Sequence, residues 1–207
     1  MLLGDIFEHI LEGIHDPFRK KIIFLAGGPG SGKTFVRSKL IPYGMKVLDL
    51  DDIMKKLSLV RKMKLNLKNI DYDRDPELMN LQQDAKRLIS IMQRLYREGE
   101  LGIVVDSTGR DPWKIKRVKE FFENIGYDAY LIVVRVPRDV SWMRNLRRDR
   151  TLRRDVFDEL HTEVETSLDI LAEMFEDGHV LTIINTEPPD SPVWRKYEKI
   201  VDRWLRE

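Results

Sequence analysis

The chain contains 207 residues, with 36 Lys and Arg against 35 Asp and Glu, and its formal net charge is +1. This length suffices for one α/β domain with a buried core, so we expect residues 1–207 to form a single domain. The even charge balance excludes a global positive field that would attract nucleic acid, and the absence of cysteine excludes disulfides and thiolate metal sites.

The first predicted element is an amphipathic helix over residues 2–15. Apolar residues recur at helical spacing from Leu2 to Ile14, and Pro17 follows soon after. Because its polar face carries acidic more than basic residues, we expect this helix to dock on the domain rather than on a membrane. The chain has no apolar stretch that could span a bilayer and no signal-peptide pattern, so we expect a soluble, cytoplasmic protein.

Strand and helix patterns alternate along the rest of the chain. Apolar runs predict five strands, at 22–26, 45–50, 101–105, 129–136 and 180–184. Helical patterns occur at 34–40, 76–97, 111–124, 156–175 and 193–205. This alternation predicts an α/β fold: a parallel five-stranded sheet with helices on both faces, which binds ligands at the carboxyl ends of its strands. The charged stretch 55–75 is predicted to be a mobile insertion on the substrate side, and 185–189 to wall the nucleotide base or form an ordinary loop.

A glycine-rich phosphate-binding pattern follows the first predicted strand. It consists of Gly27, Gly28, Pro29, Gly30, Ser31, Gly32, Lys33 and Thr34. Glycines let the backbone wrap closely around a polyphosphate with its N–H groups pointing inward. In this pattern Lys33 reaches the β and γ phosphates, and Thr34 offers a hydroxyl to Mg²⁺. Because a bare glycine turn has no need of Lys-Thr after the last glycine, the pattern predicts binding of a nucleoside triphosphate.

Acidic residues end the second predicted strand. Asp51 and Asp52 follow Asp49 and Leu50, and Asp51 lies 18 residues after Lys33. A carboxylate at this strand end can sit beside the phosphates and accept a proton from a substrate hydroxyl. Aspartate is also a favoured helix N-cap. We therefore predict Asp51 to be the base, and Asp52 to be the helix cap on the substrate side of the site.

Asp106 directly follows the third predicted strand and opens the segment Asp106-Ser107-Thr108-Gly109-Arg110. An acidic residue here is typical of the position where a nucleotide-binding domain holds Mg²⁺ or its waters. We therefore predict a metal or substrate contact for Asp106 and a substrate contact for Arg110. The alternative is that Asp106 only opens a turn.

The most charged part of the chain is the segment 144–154, which contains six arginines. They are Arg144, Arg147, Arg148, Arg150, Arg153 and Arg154. The planar guanidinium suits phosphate oxygens and the spread charge of a phosphoryl group in transfer. The segment therefore predicts a lid, over about 138–155, that closes on the nucleotide. A nucleic-acid-binding patch and a surface helix with internal ion pairs are the alternatives.

Taken in this order, the motifs resemble those of the small P-loop kinases over about residues 21–176. Gly-x-Pro-Gly-Ser-Gly-Lys, Asp51-Asp52, Asp-x-Thr and Arg144-Asn145-x-x-Arg148 resemble the kinase domain of phage polynucleotide kinase. Residues 106–110 are similar to the Glu-Gly-Thr-x-Arg segment of the zeta-toxin family.

The resemblance implies a P-loop kinase fold and a role for each motif. It makes Asp51 the general base and Arg148 the lid arginine on the transferring phosphate. Lys33 and Thr34 keep the phosphate and metal roles, and Arg144 joins the nucleotide-binding residues. The cofactors implied are ATP and Mg²⁺.

The acceptor of the phosphoryl group is less strongly indicated. Polynucleotide kinases carry an arginine shortly after Asp-Asp, where this chain has Met54 and Lys55, and zeta toxins carry a glutamate in place of Asp106. We predict a kinase for a nucleic-acid or nucleotide hydroxyl, with a zeta-toxin-like nucleotide-sugar or small-molecule kinase as the alternative. A nucleotide-gated switch, which would not need Asp51 as a base, is the alternative of another class. The preference for ATP over GTP and the oligomeric state are left open.

Overall fold

Five parallel strands form the central sheet. A computed structural model describes the protein over residues 16–63, 76–147 and 151–207. The strands are β1 (Lys21–Ala26), β2 (Lys46–Asp49), β3 (Ile103–Ser107), β4 (Asp128–Arg135) and β5 (Val180–Ile184). Their order across the sheet is β2-β3-β1-β4-β5, and every neighbouring pair is parallel. The predicted parallel five-stranded sheet is confirmed, and the apolar β1 is buried at its centre.

Seven helices accompany the sheet in the described part of the chain. They are α1 (Lys33–Leu40), α2 (Leu50–Val60), α3 (Pro76–Glu98), α4 (Pro112–Asn124), α5 (Arg138–Leu146), α6 (Arg154–Ala172) and α7 (Val193–Arg206). Successive side chains of β1 enter two different cores, since they point to opposite faces of the sheet. Ile23 belongs to the core under α1 and α7, whereas Phe24 belongs to the core under α4 and α6. The prediction of helices on both faces is therefore confirmed.

Helices α2 and α3 pack against each other at the β2 side of the sheet. Ile53 and Met54 of α2 meet Leu81 of α3 in a small apolar cluster of their own. The stretch predicted to be a mobile insertion, 55–75, therefore begins inside a helix whose apolar face is buried. The remainder of that stretch, 64–75, lies outside the described residues.

Helix α5 forms the first part of the predicted lid, where the sequence predicted no separate helix. Its Ser141 is buried against the phosphate-binding loop, so α5 is part of the wall of the site. Residues 148–150, which include Arg148, lie outside the described residues, as does the helix predicted over 2–15. Among the described helices, none has the length and apolarity that crossing a bilayer requires.

Candidate active site

The loop between β1 and α1 has the backbone of a phosphate-binding loop. Gly30 and Gly32 adopt φ angles of 76° and 85°, a region that glycine occupies without strain. A Cβ atom on Gly27 would lie 2.5 Å from the Val134 carbonyl oxygen, so this position also excludes a side chain. No side chain of the described residues caps α1. The first amide groups of α1 are therefore available to an anion, as a phosphate site requires.

Lys33 and Thr34 begin α1 at the mouth of this loop. Lys33 Nζ donates to the Gly27 carbonyl oxygen at 2.6 Å, so the ammonium group lies across the loop. Thr34 is exposed in the first turn of the helix. Both side chains lie where a triphosphate would enter, and their roles toward ATP and Mg²⁺ stay predictions.

Side chains from α5 and from the residue after β5 hold the phosphate-binding loop through hydrogen bonds to its backbone. Ser141 Oγ donates to the Pro29 carbonyl oxygen at 2.5 Å. Asn185 Nδ2 donates to the Ser31 carbonyl oxygen at 2.8 Å, and Arg144 Nη2 donates to the Asn185 carbonyl oxygen at 2.9 Å. The Arg144 guanidinium also donates to the Ser31 carbonyl oxygen at 3.4 Å, so it binds backbone oxygens of both segments, and the buried Asn185 side chain lies against the loop.

Three carboxylates surround Arg37 of α1: Asp49 at the end of β2, Asp106 near the end of β3 and Asp52 in the first turn of α2. Arg37 Nη1 donates to Asp49 Oδ2 at 2.8 Å and to Asp106 Oδ2 at 2.9 Å, and Nη2 donates to Asp52 Oδ2 at 3.1 Å. The other oxygen of Asp49 caps α2, because it accepts from the backbone N–H groups of Asp51 and Asp52. The prediction that Asp52 caps this helix is wrong. Asp49 ends β2 in extended conformation, so its side chain is the one that faces the unpaired amide groups.

Asp106 is the most buried member of this acidic cluster. It lies within β3 rather than after it, and its side chain is 7% exposed. Burial, which disfavours the charged carboxylate, together with repulsion from Asp49 and Asp52, raises its pKa to about 6 against the attraction of Lys33 and Arg37. A strongly shifted carboxyl beside a phosphate loop is typical of a functional site.

The oxygen donors at the loop fit a magnesium ion that arrives with a nucleotide. Thr34 and Asp106 supply a hydroxyl and a carboxylate, and Mg²⁺ prefers such hard oxygen ligands. Within the described ranges, no group of three or more His, Cys, Asp or Glu side chains is arranged to hold a metal by itself. Mg²⁺ at nucleotide sites takes one or two carboxylates and completes its shell with phosphate oxygens and water. The buried Ser31 Oγ, which has no hydrogen-bond partner, is a further polar group in the loop that a bound nucleotide would help to satisfy.

Arg110 lies beside an open depression on the outer face of α6. Arg110 Nε is 2.7 Å from Glu163 Oε2, and Ser167 Oγ donates to the Arg110 carbonyl oxygen at 3.1 Å. The depression has a volume of about 470 Å³ and is lined by Arg110, Thr162, Glu163, Thr166 and Ser167. Val164, on the same helix, lies against Gly28 of the phosphate loop. An open depression that carries three hydroxyl side chains therefore lies on the helix that contacts the phosphate loop.

The arginine segment is rich in internal ion pairs. Arg153 Nη2 lies 2.6 Å from Asp155 Oδ2, and Arg154 Nε lies 2.9 Å from Asp158 Oδ2. These pairs match the alternative of a surface helix with its own salt bridges for this part of the segment. The arginines within 148–150 lie outside the described residues, so the predicted role of Arg148 stays a prediction.

Two candidate site residues, Arg37 and Asn185, follow from the structure and not from the sequence patterns. Arg37 is one helical turn after Lys33, so both side chains leave the same face of α1. The four-residue spacing from Lys33 was the sequence feature that could have indicated Arg37, but basic residues at this spacing are common on surface helices. Asn185 was predicted either to help wall the nucleotide base or to lie in an ordinary loop, and the structure shows its side chain bound to the phosphate loop.

Comparison with known families adds one finding on the sequence. A family model described as zeta toxin matches residues 7–188. The match covers the phosphate loop, the acidic cluster and the arginine segment. A search of curated proteins found no match.

Several solved structures share the fold. A proposed kinase from Chloroflexus aurantiacus J-10-fl is 16% identical with a TM-score of 0.59, over 91% of this chain and 97% of its own. A chain from the PezAT chromosomal toxin–antitoxin system of Streptococcus pneumoniae is 13% identical with a TM-score of 0.56, over 98% and 95%. A chain from the AvrRxo1-ORF1:AvrRxo1-ORF2 structure is 14% identical with a TM-score of 0.66, over 95% and 70%. At these identities the likeness concerns the fold alone.

Proposed function

The chain belongs to the zeta toxin family of P-loop kinases, and from that premise we propose that it transfers the γ-phosphoryl group of ATP to a hydroxyl of a small acceptor. One observation carries the proposal. Strands β2, β3 and β1 are neighbours in the sheet, and their carboxyl ends carry the groups of the proposed site. These groups are Asp51 after β2, Asp106 near the end of β3 and the phosphate loop after β1. A phosphate site and a carboxylate base side by side are the parts that phosphoryl transfer needs.

Each group at this edge has a role in the proposed reaction. Lys33 leaves the Gly27 carbonyl oxygen and neutralises charge on the β and γ phosphates, while the amides of the loop hold their oxygens. Asp51 accepts the proton of the attacking hydroxyl. Thr34 and Asp106 would hold Mg²⁺, which supplies charge neutralisation at the phosphates when bound. Arg144 supports the loop, and Arg148, which lies outside the described residues, keeps the role toward the transferring phosphate that the family resemblance implies.

The surroundings of the site support a small acceptor over a nucleic acid. A nucleic-acid backbone needs several unpaired cations along one track, and Arg153 and Arg154 already have carboxylate partners. The depression beside Arg110 is lined by the hydroxyls of Thr162, Thr166 and Ser167 and by the Arg110–Glu163 ion pair, and such groups can hydrogen-bond a hydroxyl-rich molecule such as a nucleotide sugar. A nucleic-acid or nucleotide acceptor, which the sequence favoured, is the second candidate because of the Asp-Asp and Arg-Asn-x-x-Arg motifs.

A transfer screen with γ-labelled ATP and Mg²⁺ tests this proposal. The acceptors are nucleotide sugars, nucleosides, DNA and RNA ends, and modified-base DNA, and the Lys33→Ala variant controls for contaminating kinases. Label on a nucleotide sugar supports the proposal, and label on oligonucleotides makes the second candidate correct. Oligonucleotide affinity across a salt series gives an independent answer, because each lost phosphate contact lowers the slope of log affinity against log salt by about one. ATP hydrolysis without any labelled acceptor would favour a nucleotide-gated switch.

A further inference from the structure

Arg37 links α1, which begins at the phosphate loop, to α2, which carries the proposed base Asp51. It lies on α1, four residues after Lys33, and its Nη1 atom donates to Asp49 Oδ2 at 2.8 Å. Asp49 Oδ1 accepts from the Asp51 backbone N–H at 3.0 Å. Asp49 thus binds Arg37 through Oδ2 and caps the first turn of α2 through Oδ1.

The same guanidinium also binds the end of the neighbouring strand. Arg37 Nη1 donates to Asp106 Oδ2 at 2.9 Å, and Nη2 reaches Asp52 Oδ2 at 3.1 Å. The Arg37 and Asp49 side chains are each only 15% exposed, so solvent screens these contacts weakly. Three carboxylates this close would repel each other without the cation between them.

We propose that Arg37 is a positioning residue of the phosphoryl-transfer site, which sets the place of Asp51 relative to the phosphate loop. The inference rests on the proposed function for the role of Asp51. Arg37 acts by fixing Asp49, and through it the first turn of α2, and no direct contact of Arg37 with the acceptor is part of the proposal. A lysine here keeps the charge but lacks the planar fork that serves Asp49, Asp106 and Asp52 at once.

The test compares Arg37→Lys with Arg61→Lys. Arg61 lies just after the other end of α2, and its Nη2 atom is 2.6 Å from Asp84 Oδ2 of α3, so it is a matched ion pair away from the site. Arg37→Lys should lower kcat on the order of a hundredfold while leaving ATP affinity within about twofold, since a small displacement of a reacting group costs that much. Arg61→Lys should change neither quantity.

A second variant shows whether Arg37 acts through Asp51. If it does, the double variant Arg37→Lys/Asp51→Asn should be no slower than Asp51→Asn alone. A kcat of the double variant that is reduced by the product of the two single-variant factors would overturn the proposal. A normal kcat for Arg37→Lys, or an equal fall in ATP affinity and kcat, would overturn it as well.

Hydrogen exchange separates this inference from the kinase proposal. In the nucleotide-free protein, the amides of Asp51 and Asp52 should exchange faster in Arg37→Lys than in the wild type, with unchanged exchange in the last turn of α2. This result supports the positioning role even if no acceptor is ever labelled, in which case the kinase proposal alone fails. Unchanged exchange at both amides overturns the positioning role whatever the activity.

Discussion

The Asn185 side chain donates to the Ser31 carbonyl oxygen at 2.8 Å, and so ties the residue after β5 to the phosphate loop. Asn185 is 3% exposed, and its Nδ2 atom lies 2.3 Å from where a Cβ of Gly32 would stand. The loop therefore gains its shape from a neighbouring strand end as well as from its own glycines.

Asn185→Ala should weaken ATP binding about tenfold and lower the free energy of unfolding by about 1–2 kcal/mol. The change leaves the buried Ser31 carbonyl oxygen without this donor and loosens the loop before nucleotide binds. Calorimetric titration with a non-hydrolysable ATP analogue measures the affinity, and urea unfolding measures the stability. Asn124→Ala, at the exposed end of α4, should change neither and serves as the control. Equal ATP affinity in wild type and Asn185→Ala would contradict this role of Asn185.

Lys33→Ala should reduce phosphoryl transfer on the order of a hundredfold or more with a folded protein, because it removes a charge directed at the phosphates rather than core volume. Steady-state transfer assays measure the loss, and circular dichroism checks the fold. Lys39→Ala removes an exposed lysine from the last turn of the same helix and should retain full activity. Near-native turnover in Lys33→Ala would end the kinase assignment.

Asp51→Asn should abolish most transfer with little change in ATP affinity, because a base acts on the acceptor and not on the nucleotide. Asp52→Asn should be milder, since Asp52 contributes only one of the three carboxylates that Arg37 binds. Measuring kcat and ATP affinity for both variants separates the two aspartates. An active Asp51→Asn beside an inactive Asp52→Asn would move the base by one residue.

Long periodic patterns made the sheet and its covering helices predictable. The run from Ile22 to Ala26 is apolar at every position, and a strand buried on both faces is what such a run indicates. The start of helix α2 was predicted through a cap at Asp52, but its extent to Val60 was not, because the charges of Asp51, Asp52, Lys55 and Lys56 obscure its few apolar residues. Its burial depends on contacts with α3, which only the folded chain supplies.

The candidate site was predictable where a local motif carries it. The phosphate loop follows β1 as its motif predicted, and Asp51 lies in the first turn of α2, two residues after the end of β2. Arg37 and Asn185 act through partners far along the chain, such as Asp106 and Ser31, so sequence spacing alone carries little information about them. Asp49 took the cap role predicted for Asp52 because the strand ends one residue earlier than its apolar pattern suggested.

Asp106→Asn should make the nucleotide-free protein more stable at pH 8 and inactive as a kinase. Burial is the main cause that raises the pKa of Asp106 to about 6 in the folded protein, from the ordinary aspartate value of 3.8. Between these values the folded state binds the proton more tightly than the unfolded state does, so this group's contribution to stability is full below about pH 4 and is lost as pH rises through 6. This pKa shift corresponds to a loss of at most about 3 kcal/mol in the free energy of unfolding when Asp106 is ionised.

Urea unfolding of wild type and Asp106→Asn between pH 4.5 and 8 checks this sign. Asparagine cannot ionise, so the stability difference should grow from a small value near pH 4.5 to its full value above pH 7, while titrating groups that do not interact with Asp106 cancel between the two proteins. A difference that is constant with pH, or one that favours wild type at pH 8, would contradict the buried-charge explanation. We expect Asp106→Asn to be more stable and less active than the wild type. A buried carboxylate that is kept for binding ligands lowers the stability of the protein when no ligand is bound.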